Sequence, residues 1–349
     1  MSAVTEDQRL ADPDEAADLI EQYYARGFTD GLPVVPPSER SVRAMLDVVG
    51  LGPKELVAEL MMRHIRVTAE KVAINAVMAG CLPEYMPVLV TAVQVLCDPA
   101  FSGHGPVTTT GSTAMTMIVN GPIATRLGIN AKDNLFGPGV RANATIGRAL
   151  RLVLMNAFNA RPGFLDRSAM GNPGKYSQCF AENEAESPWE PLHVERGFKA
   201  EDSTVTLFAG TGFIPVNNTL DATPRYVLPT LADTMSYLGS QNLMGQSEMF
   251  VIIGGQMMEN FRAEKVAKRE IQEYCYAHAG RSVAECKRMR KIPGEVEPGD
   301  EERWQHVVKA PEDIVVLCAG GYAGPHAVVM PGWSSYGSSH SVTHRIAVP

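Results

Sequence analysis

The chain has 349 residues, of which 45% are hydrophobic and 20% are charged, and its formal net charge at pH 7 is −8. This composition is typical of a soluble globular protein and excludes intrinsic disorder and collagen-like repeats. The acidic balance argues against a nucleic-acid partner, because phosphate binding needs clustered Lys and Arg. A small molecule is therefore the expected partner.

The N-terminal region is acidic and lacks an apolar block, which is untypical of a secretory or transit peptide. The longest apolar stretches, residues 72–81 and 86–97, are each too short to cross a bilayer and are interpreted as buried helices. The six cysteines are scattered without a C-x-x-C pair, as expected for free thiols in a reducing compartment. These features predict a cytoplasmic protein without a membrane partner.

The first fifty residues are predicted to form a helical arm. Apolar side chains recur at helical spacing in residues 12–27, and a second helix is predicted at 39–49. Between them, residues 32–35 favour a short extended piece. We expect residues 1–50 to wrap as an arm around the body or a partner, and residues 51–349 to form a single α/β domain.

The rest of the chain alternates between strand-like and helical patterns. Apolar or β-branched runs predict strands at residues 115–119, 204–209, 250–253, 314–317 and 327–330. Helical patterns follow at residues 143–157, where Asn143 or Thr145 is the predicted N-cap, and at 229–238 and 263–279. The alternation predicts an α/β fold with a mixed sheet flanked by helices, and no repeat of fixed period is found.

The most reactive segment of the chain is residues 173–198, which is long and has no clear period. Long irregular segments inside a compact chain are usually functional. Cys179 is the candidate nucleophile, with His193 as the partner that lowers its pKa; a reduced, packed cysteine is the alternative. The candidate catalytic residues of this segment are Cys179, His193, Glu182, Glu190 and Glu195. Glu184 is a further candidate for proton transfer.

A divalent metal site is a second interpretation of the same segment. Residues 192–195 are predicted to be extended, which would place His193 and Glu195 on one side. Together with Glu190 they would form a carboxylate–imidazole site that suits zinc, manganese or non-haem iron. The alternative is an ion-pair network of these residues with Arg196, Lys175 and Arg167.

The segment Phe136–Gly139, which contains Gly137 and Gly139, directly precedes a predicted helix start. Free N–H groups there, together with Arg141 and Asn143, can hold a carboxylate or phosphate, whereas a plain turn with a capped helix is the alternative. The segment matches neither G-x-G-x-x-G nor the P-loop, so no nucleotide cofactor is predicted. Lys175, Tyr176 and His104 complete the predicted substrate-binding set, although a structural role is the alternative for His104.

Four strings in the sequence carry a resemblance to a known family. They are TDGLPVVPP (29–37), EKVAINAVMAGCLPEYMPV (70–88), FGPGVRANATIGRALRL (136–152) and GKYSQCFAENEAESPWEPLHVERGF (174–198). They resemble the bacterial proteins known as the UGSC family, over most of residues 14–345. In that family this body occurs alone or beside a short thiol domain with a Cys/Sec-Gly-Ser-Cys motif, which this chain lacks.

The resemblance implies a bacterial metabolic enzyme or enzyme subunit, either homo-oligomeric or assembled with a small thiol or selenol subunit. With the candidate residues, it leads to an enzyme that acts on an anionic substrate, either a sulfur-containing or a carbonyl compound, by lyase, hydrolase or thiol-linked chemistry. Two alternatives stay open. One is a non-catalytic scaffold for a separate thiol or selenol chain, and the other is a metal-dependent enzyme that uses His193 and nearby carboxylates.

Overall fold

A computed structural model describes residues 13–333 and 340–347. The helices are α1 (Pro13–Ala25), α2 (Glu39–Val49), α3 (Ala69–Ala79), α4 (Met86–Cys97), α5 (His104–Thr108), α6 (Pro122–Arg126), α7 (Arg141–Asn156), α8 (Leu192–Glu195), α9 (Pro224–Met235), α10 (Asn242–Gly245), α11 (Gly255–Ala263), α12 (Lys268–His278) and α13 (Val283–Arg288). The strands are β1 (Leu56–Leu60), β2 (Ile65–Thr68), β3 (Ala114–Asn120), β4 (Cys179–Ala181), β5 (Thr204–Gly210), β6 (Ile214–Asn217), β7 (Met249–Ile253), β8 (Gly280–Ser282), β9 (Trp304–His306), β10 (Ile314–Cys318), β11 (His326–Pro331) and β12 (Val342–Arg345).

The predicted α/β architecture, with mixed sheets flanked by helices, is confirmed. The strands form two four-stranded sheets rather than one, together with the two-stranded pairs β1–β2 and β8–β9. The first large sheet has the order β4-β3-β5-β12, and the second has the order β10-β7-β11-β6. In both, the first two neighbours are parallel and the remaining pairs are antiparallel.

Two successive stretches of the chain build these sheets in the same way. Each lays down a central strand, crosses over through helices to a parallel neighbour, and returns as an antiparallel neighbour: β3, β4 and β5 in the first, β7, β10 and β11 in the second. The next strand of each stretch then enters the other sheet, because β6 pairs with β11 and β12 pairs with β5. The two halves are therefore related by an exchange of edge strands.

The two large sheets pack face to face and form the centre of the molecule. Phe208 of β5 and Phe250 of β7 meet there with ring centroids 4.3 Å apart. Helices α4 and α7 cover the outer face of the first sheet and α3 packs on both of them, whereas α9, α11 and α12 cover the outer face of the second sheet. The result is a four-layer arrangement of helices, sheet, sheet and helices, in which both faces of each sheet are buried.

The segment after α1 is fastened to α7. The guanidinium of Arg148 donates to both carboxylate oxygens of Asp30 at 2.8 Å and to the carbonyl of Leu32. The side-chain amide of Asn156 donates to the carbonyl of Phe28. Side chains of α7 thus bind both the Asp30 carboxylate and backbone carbonyls of the segment. These bonds fix the segment without strand pairing.

Residues 32–35 pair with no described strand, and Arg148 of α7 binds the carbonyls of Leu32 and Pro33. Two predicted helix boundaries were wrong. Helix α7 begins at Arg141, and its N-cap residue Val140 supplies no side-chain cap. Asn143 and Thr145 therefore lie inside the helix. The pattern at 263–279 is divided between α11 and α12.

We predict that Phe208→Ala lowers the free energy of unfolding by about 3–5 kcal/mol, since it removes a buried ring from the contact between the two sheets and leaves a cavity. Chemical denaturation monitored by circular dichroism measures this change. The fully exposed Leu220, whose side chain is 102% accessible, provides the control Leu220→Ala with little expected effect. Equal stability of the two variants would contradict the central position of the contact.

Candidate functional site

The predicted reactive segment is divided by strand β4 into two groups of polar residues. Lys175 and Tyr176 precede the strand and lie at its amino end, whereas Glu182 and Glu184 follow it and lie at its carboxyl end. Strands β3 and β4 are parallel, so their amino ends share one edge of the sheet. The candidate residues therefore form two separate sites, on opposite edges of the first sheet.

An open cavity of about 770 Å³ lies at the amino edge. Its walls are the turn at residues 27–31, side chains of the second half of α7, and the loop at residues 161–176. We call it the amino-edge pocket. Its charged lining residues are Asp30, Arg151, Arg161, Asp166 and Lys175. Its volume lies within the range of pockets that bind small molecules.

Lys175 is the centre of a hydrogen-bonded group in this pocket. Its Nζ donates to both carboxylate oxygens of Asp166, at 2.7 and 2.8 Å, and to Oγ of Ser168 at 2.6 Å. Arg151 adds a second cation on Asp166, with Nη2 at 3.1 Å from Oδ2. Asp166 thus binds two cations, Lys175 and Arg151, in the wall of the pocket.

The environment shifts the protonation of both partners. Burial lowers the pKa of the Lys175 amine, and the nearby Arg151 cation acts in the same direction, while the bond to Asp166 opposes them. Burial alone would raise the pKa of Asp166, but its bonds to Lys175 and Ser168 outweigh burial and hold that pKa below its usual range. An amine with a lowered pKa beside an ionised carboxylate is suited to proton transfer.

Two further polar groups in this region lack a protein partner. The Nε of Arg161 is buried and has no hydrogen-bond acceptor among the described residues. The hydroxyl of Thr113 is likewise buried without a described partner, and it lines a narrow cleft of about 20 Å³ that also contacts Asp166 and Lys175. Buried polar groups are normally satisfied, so these two are available to a bound ligand or water.

A second polar group lies at the carboxyl edge of the same sheet; we call it the carboxyl-edge cluster. Nδ2 of Asn120 donates to Glu182 Oε2 at 2.6 Å and to Glu184 Oε1 at 2.9 Å. The backbone N–H of Leu192 also donates to Glu182 Oε2. The ring of His193 is fully buried, with Nδ1 3.9 Å from Glu184 Oε1. This cluster closes the sheet edge against α8.

Burial raises the pKa of Glu182 to about 7, and the cation of Lys268 only partly opposes the effect. Lys268 itself binds Glu195 at 2.9 Å and donates to the carbonyl of Glu190. Lys268 is thus buried and takes the part that the sequence assigned to Arg196, Lys175 and Arg167, while its partner Glu195 is partly exposed and Glu190 contributes only its backbone carbonyl. Residues 192–195 form helix α8 rather than an extended piece, because Pro191 is the N-cap of that helix.

Cys179 is the first residue of β4, and its side chain lies in the hydrophobic core of the first sheet and its helices. Its side chain is 5% exposed, and burial raises the pKa of its thiol. No hydrogen bond or ion pair joins Cys179 to His193 in the described part of the chain. A buried thiol with a raised pKa is inert, so the geometry gives the nucleophile interpretation no support.

The predicted anion-binding residues at the start of α7 are engaged elsewhere. The guanidinium of Arg141 donates twice to the carbonyl of Gly80, where it caps the end of α3. The amide of Asn143 binds the backbone of Asn130 and the carbonyl of Cys179. These contacts match the alternative of a structural turn. His104 lies on α5, outside the amino-edge pocket, and its Nδ1 has no described partner.

No group of three or more His, Cys, Asp or Glu side chains in residues 13–333 and 340–347 converges on a point that could hold a metal ion. His193, Glu190 and Glu195 therefore do not form the predicted metal site. The sequence prediction did include Lys175 and Tyr176, which line the pocket, but missed Arg151, Arg161, Asp166 and Ser168. Their single signal was the position of Arg151 off the apolar stripe of α7.

The chain matches no protein-family model and no curated protein. Among the described residues, no helix combines the length and the apolar character required for a membrane span. The assignment of a function therefore depends on the geometry of the two polar sites.

We predict that Glu182→Gln changes how stability depends on pH. The pKa of Glu182 in the folded state, about 7, lies above its unfolded value of roughly 4.3, so the folded state binds the proton more tightly. The stability that this carboxyl contributes is complete below the unfolded pKa and is lost as pH rises through 7. Relative to wild type, the variant should gain about 3 kcal/mol between pH 4 and pH 8.

Urea unfolding at a series of pH values measures this difference. Glu201→Gln removes an exposed carboxylate with 74% side-chain accessibility and is the matched control. A constant difference between Glu182→Gln and wild type across this pH range would show that the buried carboxyl is ionised throughout.

Proposed function

We propose that this chain is an enzyme that binds a small anionic carbonyl compound in the amino-edge pocket and transfers protons through Lys175. The observation that carries the proposal is the charge of the pocket lining. Three cations face two carboxylates there, and one of the carboxylates, Asp30, is already bound by Arg148 from outside the pocket. The excess positive charge favours an anionic ligand.

Arg161 is the residue best suited to hold the anionic group of the substrate. A guanidinium binds carboxylate or phosphate through two parallel N–H bonds, and the Nε of Arg161 is a buried donor without a protein acceptor. An anion at this position would satisfy a donor that otherwise carries a desolvation cost. Arg151, in contrast, is already bound to Asp166.

Lys175 is the residue best suited to move a proton on the bound molecule. Its amine is fixed by Asp166 and Ser168, and burial shifts its pKa towards neutrality. This assignment keeps the predicted substrate class and the predicted hydrolase or lyase chemistry. It transfers the acid–base role from Cys179, His193 and the glutamates to Lys175. Tyr176, half exposed on the same wall, is a further contact for the substrate.

We predict that small anions raise the melting temperature of the protein and that Arg161→Gln removes this effect. Acetate, pyruvate, benzoate and phosphate are the probes, and acetamide and benzamide are the uncharged counterparts. A ligand that binds only the folded state stabilises it by an amount that rises with the logarithm of the ligand concentration divided by Kd. Loss of a charge-assisted hydrogen bond should weaken the affinity about tenfold or more.

Arg126→Gln is the matched control, because Arg126 is an exposed arginine at the end of α6, outside the pocket. This variant should respond to the anions as wild type does. The proposal is overturned if none of the anions stabilises the wild-type protein beyond its uncharged counterpart, or if Arg161→Gln and Arg126→Gln respond alike.

A further inference from the structure

Ser168 occupies a distinctive position in the amino-edge pocket. Its hydroxyl lines the cavity, donates to the carbonyl of Gly111 at 2.8 Å and lies 2.6 Å from Nζ of Lys175. Its backbone N–H donates to Asp166 Oδ1, and this bond fixes the middle of the loop at residues 161–176. A serine hydroxyl at hydrogen-bonding distance from a base that is oriented by a third residue is the arrangement that activates a nucleophile.

We infer that Ser168 is a nucleophile activated by Lys175, and that the chain hydrolyses anionic carboxylic esters or amides. The inference rests on the proposed function, since it places the substrate in the same pocket with its anionic group on Arg161. It adds the reaction type, an acyl transfer to serine followed by hydrolysis, and a residue that the sequence prediction did not include.

The coordination of Lys175 fits this role. A neutral amine has two N–H bonds and one lone pair. The two oxygens of Asp166, at 2.7 and 2.8 Å, can accept the two N–H bonds, which leaves the lone pair for the hydroxyl of Ser168. The Ser168 hydroxyl then needs only to rotate from the Gly111 carbonyl towards Nζ. Asp166 would orient the base, as the third residue of other triads does.

The reaction balances with water as the only co-reactant. Ser168 Oγ attacks the carbonyl carbon and its proton passes to Lys175 Nζ. The bond from carbon to the leaving oxygen or nitrogen breaks, and the leaving group takes that proton. Water then attacks the acyl-serine ester, gives one proton to Lys175, and releases the carboxylic acid as Ser168 recovers its proton. The net change is ester or amide plus water to acid plus alcohol or amine.

The other nucleophilic side chains of the region are placed less favourably. Cys179 is buried in the core. Ser177, two residues away from Lys175, donates to the carbonyl of Asn143 inside α7 and does not line the pocket. Ser177 is therefore a matched control for a serine in the same segment without a base.

The test is labelling by diisopropyl fluorophosphate, which needs no knowledge of the natural substrate. The Oγ–P bond forms, the P–F bond breaks, fluoride leaves, and Lys175 takes the proton. The tryptic peptide SAMGNPGK, residues 168–175, contains Ser168 as its sole hydroxyl-bearing side chain, so mass spectrometry locates the label without ambiguity. We expect wild type and Ser177→Ala to be labelled on this peptide, and Ser168→Ala to lose the label.

Lys175→Arg separates activation from simple exposure of the serine. Arginine keeps a cation opposite Asp166 but cannot accept a proton, so labelling should slow by about a hundredfold or more. The wild-type labelling rate should rise with pH as Lys175 loses its proton, and the variant should lack this rise. Circular dichroism and thermal melting verify that each variant is folded.

The outcomes distinguish this inference from the proposal on which it rests. Absence of label on Ser168 in wild-type protein that is still stabilised by anions would overturn the nucleophile and leave the anion-binding site intact. Labelling of Ser168 at the same rate in Lys175→Arg would also overturn it, because the serine would then react without its base. Absence of anion binding by the wild-type protein would overturn the proposed function itself.

Discussion

The structure depends on one constraint, the burial of both faces of each large sheet. Strands β3, β5, β7 and β10 have almost no exposed residues on either face. Such strands are stable only with apolar layers on both sides. The two sheets satisfy this need by packing against each other through Phe208 and Phe250, and by taking up a helical layer outside. Four layers follow from this requirement.

The same constraint determines where polar chemistry can occur. Because the sheet faces are filled, strands β3, β4, β5, β7 and β10 carry no charged side chain, and charged groups gather at their ends. At the carboxyl edge, Asn120 and Glu182 are covered by α8, which contributes the buried His193, and they become part of the interior. At the amino edge, the loop that contains Asp166 and Ser168 stands away from the turn after α1, and a cavity opens between them. The open edge is therefore the place where a substrate can enter.

The exchange of edge strands connects the two halves. Since β6 belongs to the second sheet and β12 to the first, neither sheet is complete without chain from the other half. Nothing in the sequence reports this relationship, because the two halves place different side chains on equivalent strands. Strand β3, for example, ends in the polar Asn120, whereas the equivalent strand β7 ends in the apolar Ile253.

The sequence by itself determined the elements with continuous apolar patterns, such as β3 and β10, because a buried strand or helix must show its period locally. It also located the polar segment around Lys175 and Tyr176. It did not identify the residues that line the pocket with Lys175, because Arg151, Arg161 and Asp166 come from a helix and a loop that only folding brings together. It gave Cys179 and Arg141 chemical roles from residue type alone. Cys179 is buried against residues distant in the chain, and Arg141 binds the carbonyl of Gly80. Contacts between such distant residues form only in the tertiary structure.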